Sequence, residues 1–147
     1  VVRELLYTDS KKSGTSIKKA LDYLLKVAKR KSVIFLISDF LDDGYWSSLK
    51  VVNRKHDLIG IQLYDPAEIS LPDLGLSKIE DPETGSAFWI DTSSKSSLKV
   101  LKKRLEIDQI KFEKESRKIG FDIIPISTDQ DFVEPLLSLF KAREKRN

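Results

Sequence analysis

The sequence predicts an α/β fold of three layers, a mostly parallel sheet with helices on both faces. Three observations predict it. Short runs rich in β-branched residues, apolar on both faces, recur along the chain, as strands buried in a parallel sheet do. They alternate with segments of helical periodicity, the pattern of right-handed crossover connections. Each of three such runs ends in acidic residues, as strands sharing one rim at their carboxyl ends would.

Residues 1–7 read as the tail of a helix and residues 8–14 as a polar turn. Thr15 or Ser16 can cap the next helix, its hydroxyl accepting from an otherwise unpaired backbone N–H. Ile17, Ala20, Leu21, Leu24, Leu25 and Ala28 then recur at helical spacing and give that helix a buried face. Residues 32–38, S-V-I-F-L-I-S, are the first strand, apolar on both sides and expected to be covered on both. The strand leads into Asp39-Phe40-Leu41-Asp42-Asp43-Gly44, a loop, and residues 45–55 form a second helix. Residues 57–64 are the second strand, followed by Asp65-Pro66-Ala67-Glu68.

Residues 76–81 and 87–91 are short strand-like runs around Pro82-Glu83-Thr84-Gly85, which predicts an inserted β-hairpin. Residues 94–118 form a long charged helix with Leu98, Leu101, Leu105 and Phe112 on one side, stopped by Gly120. Residues 121–127 are the third strand, and Pro125, which cannot donate to a ladder, points to an edge position. It ends near Asp129 and Asp131, and residues 132–142 close the chain as an amphipathic helix with a basic tail.

Length and composition narrow the function. A chain of 147 residues holds one domain, residues 1–147, with 40% apolar and 33% charged residues, which argues against wholesale disorder. A net charge of +3, from 26 basic and 23 acidic residues, points to neither nucleic acid nor membrane as partner. The lack of cysteine excludes disulfides, zinc–thiolate sites and thiol catalysis, and the single histidine excludes multi-histidine metal sites. No apolar run approaches the roughly 20 residues of a membrane span, and no secretory pattern is present, so a cytoplasmic location is expected. The chain starts at Val1 and contains no methionine, which reads as a domain whose front portion is missing.

The candidate site is the shared rim. Asp39 with Asp42 and Asp43, Asp65 with Glu68, and Asp129 with Asp131 follow the three strands, and oxygen-rich rims suit hard cations such as magnesium. Acids also cap helices and close turns, and for Asp39, directly after a buried strand, both readings stand open. His56 precedes the second strand, at the opposite end, where packing or capping outweighs catalysis. Trp46 and Trp89 read as packing residues, and Lys141, Arg143, Lys145 and Arg146 as a solvated helix end complementing the helix dipole. No Walker loop, dinucleotide fingerprint, nucleophile elbow or HExxH motif occurs.

Several segments resemble one bacterial family. Gly14-Thr15-Ser16 opens a helix, residues 32–40 read S-V-I-F-L-I-S-D-F, and Lys55-His56-Asp57 leads into a strand. Asp65-Pro66-Ala67-Glu68, Leu71-Pro72-Asp73-Leu74-Gly75, Asp81-Pro82-Glu83-Thr84-Gly85 and Ser127-Thr128-Asp129 follow in order. Their succession resembles the von Willebrand factor A-like "domain of unknown function 58" over nearly the whole chain. The resemblance implies a von Willebrand factor A-like fold and a protein-interaction role, in assembly or maturation of a complex with a MoxR-type AAA+ ATPase. The related A domains hold magnesium on three loops, and Thr15 and Asp39 would match the second and third.

The first loop's Asp-x-Ser-x-Ser is absent here, so the site is partial and no bound magnesium is expected. With the sheet's first strand also missing, the edge of residues Ser32–Ser38 would be free to pair with a second copy of the chain. The alternative is a metal-dependent phosphoryl-transfer enzyme, a nuclease or phosphatase, using Asp39, Asp42, Asp65 and Glu68. That alternative needs carboxylates converging on shared metal ions, ~4 Å apart.

Overall fold

The computed structural model describes residues 16–69, 73–80 and 87–145, apart from the side chains of Glu68, Ile69, Glu80 and Phe88. Ser16 opens helix α1 (Ile17–Val27), its hydroxyl accepting from the Lys19 N–H at 3.4 Å. Strand β1 (Val33–Ser38), helix α2 (Trp46–Lys55) and strand β2 (Asp57–Tyr64) follow. The acidic exit from β2 forms one helical turn, α3 (Pro66–Ile69). Proline is preset for a first helical position, and the Asp65 carboxylate accepts the Ala67 N–H at 2.8 Å.

Strands β3 (Leu76–Glu80) and β4 (Ala87–Asp91) pair antiparallel with Lys78 opposite Trp89, as the hairpin reading required. The turn itself lies outside the described residues. Helix α4 (Lys95–Ile119) is capped by Ser94 and ends at Gly120, whose φ of 65° takes the left-handed conformation that glycine adopts without steric cost. Strand β5 (Asp122–Ser127) and helix α5 (Val133–Glu144) complete the order. No helix of the described residues is long and apolar enough to cross a membrane.

The three longer strands form one parallel sheet in the order β1-β2-β5. Pro125 sits on β5 at an edge, where its missing N–H leaves no gap in the ladder. Helices cover both faces. On one, Ile17 and Leu21 of α1, Leu49 and Val52 of α2 and Phe112 of α4 pack with Leu58 and Phe121. On the other, Ile59, Ile61, Ile124 and Ile126 pack beneath Leu136 and Leu139 of α5. Alternation along β2 therefore sends Leu58 to one layer and Ile59 to the other, as strand geometry demands.

Strand β1 departs from the sequence expectation of cover on both sides. Ile34 and Leu36 pack into the first cluster, but Val33, Phe35 and Ile37 are 58%, 45% and 59% exposed. The register sets Phe35 beside Ile59 and Ile37 beside Ile61, on the face that α5 covers farther across the sheet. Among the described residues no strand pairs with the outer edge of β1 and no helix spans its outer face. Leu137 and Phe140 of α5 are themselves exposed.

At the opposite end of the sheet Arg143 departs from its reading as a solvated tail residue. Its guanidinium makes paired bonds to Asp57 at 3.0 and 2.7 Å and a third to Asp122 at 2.8 Å. One side chain thus joins α5 to the first residues of β2 and β5.

Candidate functional site

Parallel strands in register bring their carboxyl ends to one rim: Ser38 lies beside Gln62, and Tyr64 beside Ser127. The segment after β1 has the most unusual backbone of the described exits. Phe40 has a φ of 61°, the only positive value among the described non-glycine residues. A left-handed residue with a Cβ costs roughly 1–2 kcal/mol, so something must hold it. Packing does. The Phe40 ring is buried, with ring centroids 5.0 Å from Phe112, 6.1 Å from Phe121 and 6.2 Å from Tyr45. Gly60 makes the space: a Cβ there would stand 2.5 Å from Phe121 Cζ and 3.3 Å from Phe40 Cζ.

With Phe40 turned inward, its neighbours Asp39 and Leu41 are exposed. Asp39 Oδ1 accepts the Leu41 N–H at 3.1 Å and the Ser38 hydroxyl at 3.3 Å, while Ser38 Oγ accepts the Phe40 N–H at 3.1 Å. Oδ2 of Asp39 has no partner among the described residues. Asp42 spends both oxygens on backbone, Oδ2 on the Ile17 N–H at 2.8 Å and Oδ1 on the Asp43 N–H at 2.7 Å. The first bond fastens the start of α1 to this loop and satisfies one of the donors a helix leaves unpaired at its N-terminus.

Tyr45 closes the loop from beneath. It is buried, stacks on Trp46 at 5.0 Å and donates its hydroxyl to the Phe40 carbonyl at 3.4 Å. Burial pushes the phenol above its ordinary range, and the negative charges of Asp42, Asp43 and Asp39 push it further.

The other exits behave alike. Asp65 caps α3, Asp129 accepts a short hydrogen bond from the Ser127 hydroxyl, and Asp131 accepts the Val133 N–H that opens α5, at 2.9 Å. Thr15 lies outside the described residues, as does the Glu68 side chain. Among the described residues no group of three or more histidine, aspartate or glutamate side chains comes together to hold a metal. The described acids therefore share a rim without forming a cluster: Asp39, Asp65, Asp129 and Asp131 bond within their own loops, and Asp42 also bonds the start of α1. Magnesium takes a near-octahedral set of oxygens. One unengaged oxygen on Asp39 does not make up that set, so the described residues on their own do not fit a resident ion.

His56 lies at the far end of β2, buried, its two ring nitrogens without a hydrogen-bond partner among the described residues. Its backbone N–H bonds to the Val52 carbonyl at 2.8 Å and ends α2, the capping role open to it in the sequence. Trp46 packs on Phe112 at 5.6 Å, but Trp89, opposite Lys78 in the hairpin, is 65% exposed and takes no part in the core. A shallow cleft between α4 and the sheet is crossed by reciprocal amide bonds between Gln62 and Gln109, at 3.0 and 3.4 Å, and lined along α4 by Glu113, which pairs with Arg117 at 2.7 Å on the same helix. The sequence gives no local sign of the Gln62–Gln109 pair or of the Phe40 ring against Phe112 and Phe121, because these partners are distant in the chain.

Comparison with known proteins gives a family and no activity. Residues 1–108 match the family described as "Protein of unknown function DUF58". Uncharacterized protein MAV169 of Mycobacterium avium is 27% identical over 129 residues, which cover 86% of this chain and 75% of that protein. Uncharacterized protein Mb1516 of Mycobacterium bovis and Rv1480 of Mycobacterium tuberculosis are each 25% identical over 129 residues. Those residues are 86% of this chain but 40% of either relative, so the match spans less than half the length of those two. No solved structure matches. With the family matched over more than half of its length, the chain belongs to the proteins of unknown function DUF58.

Proposed function

We propose that this chain is a protein-interaction module of von Willebrand factor A type. In this reading it acts in the cytoplasm, in the assembly or maturation of a complex with a MoxR-type AAA+ ATPase. The observation that carries the interaction role is the outer side of β1. A strand whose alternate residues are Val33, Phe35 and Ile37, and which among the described residues has no neighbour on its outer edge and no lid over those side chains, offers backbone donors, acceptors and apolar side chains together. Strand addition by a partner satisfies both. The A-type architecture is supported by the parallel β1-β2-β5 order with helices on both faces and by Asp39 directly after β1. The ATPase as partner rests on the sequence resemblance alone.

In the absence of that partner, the same edge pairs with a second copy of the chain. The phosphoryl-transfer alternative, on Asp39, Asp42, Asp65 and Glu68, gains no supporting observation: Asp42 and Asp65 accept backbone N–H groups, and the Glu68 side chain lies outside the described residues. The test is co-expression of the chain with a MoxR-type ATPase from the same organism, followed by co-purification. The reading expects a stable complex that Phe35→Lys with Ile37→Lys abolishes while the circular dichroism spectrum is unchanged. Co-purification that is indifferent to both substitutions contradicts β1 as the contact.

A further inference from the structure

Helix α4 treats its charges differently along its length. In its last turns Arg117 pairs with Glu113 at 2.7 Å and Lys118 with Glu115 at 2.6 Å. In its first turns Lys95, Lys99, Lys102, Lys103 and Arg104 precede the first acid, Glu106, and none forms an ion pair among the described residues. The first turn contains no acidic residue. Cations near a helix N-terminus oppose the positive end of its dipole, so this arrangement does not serve the helix itself.

Spacing gathers the charge. Positions 95, 99, 102 and 103 fall on one flank of a helix of 3.6 residues per turn. Leu98 and Glu106 lie beside the four lysines on the same helix. Bordering the stripe are Val100, Ile107 and Ile110, 70%, 54% and 65% exposed. β-Branched residues are indifferent helix formers, so helix preference gives no reason to place three of them on a solvent face. The surface is therefore cationic and apolar at once, and neither property is satisfied within the described structure.

We infer that the front of α4 is a docking surface for an acidic protein segment, whose carboxylates meet Lys95, Lys99, Lys102 and Lys103 and whose apolar side chains cover Val100, Ile107 and Ile110. Charge complementarity selects an acidic partner. Glu106 beside the lysines would be repelled by anionic headgroups, whereas a polypeptide can meet it with a donor of its own. A nucleic acid would meet the lysines but leave the three aliphatic side chains uncovered, and no aromatic ring stands in the stripe to stack on a base. The inference rests on the reading of the chain as a protein-interaction module, but on a surface separate from β1.

The experiment titrates the isotope-labelled chain with a synthetic peptide of about 20 residues, long enough for about 30 Å of helix, bearing glutamates on one face and leucines on the other. Amide shifts are expected to concentrate in residues 95–110. Affinity should fall about tenfold or more in the Lys95→Glu, Lys99→Glu, Lys102→Glu variant, and should weaken steeply with added salt. Removing Lys95 relieves an unfavourable dipole contact, so loss of binding in that variant does not arise from a weakened helix. Replacing the peptide's leucines by serines should also weaken binding.

Shifts confined to residues 33–38 would overturn the α4 site while supporting the interaction role, and no shift anywhere would overturn the site. Tighter binding of phosphatidylserine vesicles or of a single-stranded oligonucleotide than of the peptide would overturn the protein partner.

Discussion

Phe40 holds the loop after β1 in shape, and two neighbouring residues report on it. Gly60→Ala would drive a methyl group into the Phe121 ring and against Phe40. Overpacking of this kind costs about 1–3 kcal/mol, so the urea midpoint should drop while the secondary structure content stays the same. An unchanged midpoint would mean that the aromatic cluster yields more easily than its close packing implies. Tyr45 gives a pH signature. Its phenol is held above the ordinary value of 10.0 by burial and by the surrounding carboxylates. The folded state therefore keeps a proton that the unfolded chain releases. Stability is complete below pH 10 and falls as pH rises beyond it, by up to about 1.4 kcal/mol per pH unit. Tyr45→Phe should flatten that alkaline slope in urea unfolding measured from pH 8 to 11.5. Neither role was legible in the sequence, where Asp42-Asp43-Gly44-Tyr45 reads as a turn leading into a helix. The inward turn of Phe40 depends on the room left by a glycine on the neighbouring strand.

Between elements, the tie that matters most for stability is Arg143. It draws α5 onto the N-terminal ends of β2 and β5 through three charge-assisted hydrogen bonds, at a site only partly open to water. Arg143→Leu takes both guanidinium bonds from Asp57 and one bond from Asp122, and about 2–3 kcal/mol should be lost. Arg143→Lys should recover only part of this, since an ammonium cannot reproduce the two-pronged contact with Asp57. Thermal melts of the two variants check the order. A solvated tail, which composition alone suggests for Lys141 to Arg146, would leave both melts where they were. Runs of apolar residues and glycine or proline stops are local signals, so the elements themselves were readable: the strands, the hairpin pair, the end of α4 and the edge position of Pro125. Partners 86 residues apart, as Arg143 and Asp57 are, leave no local signal.

For the molecule as a whole, the parallel sheet and its common rim follow from the alternation of strands and helices. The use made of the rim does not. Carboxylates at strand ends look the same in a sequence whether they gather around an ion or accept backbone N–H groups, and the latter is what Asp42, Asp65 and Asp131 do. Nor does a strand apolar on both faces disclose whether both are covered. In β1 the described structure buries Ile34 and Leu36 on one side and leaves Phe35 and Ile37 to the solvent on the other. An apolar strand whose edge is bare among the described residues, lacking the charged residues and prolines that commonly guard edges, is the contact surface we propose. Small-angle scattering over a range of protein concentrations, on the chain and on its Phe35→Lys, Ile37→Lys variant, measures this most directly. The account expects the scattering mass of the chain to rise with concentration and that of the variant to stay monomeric. A chain that remains monomeric throughout, indistinguishable from the variant, would contradict it.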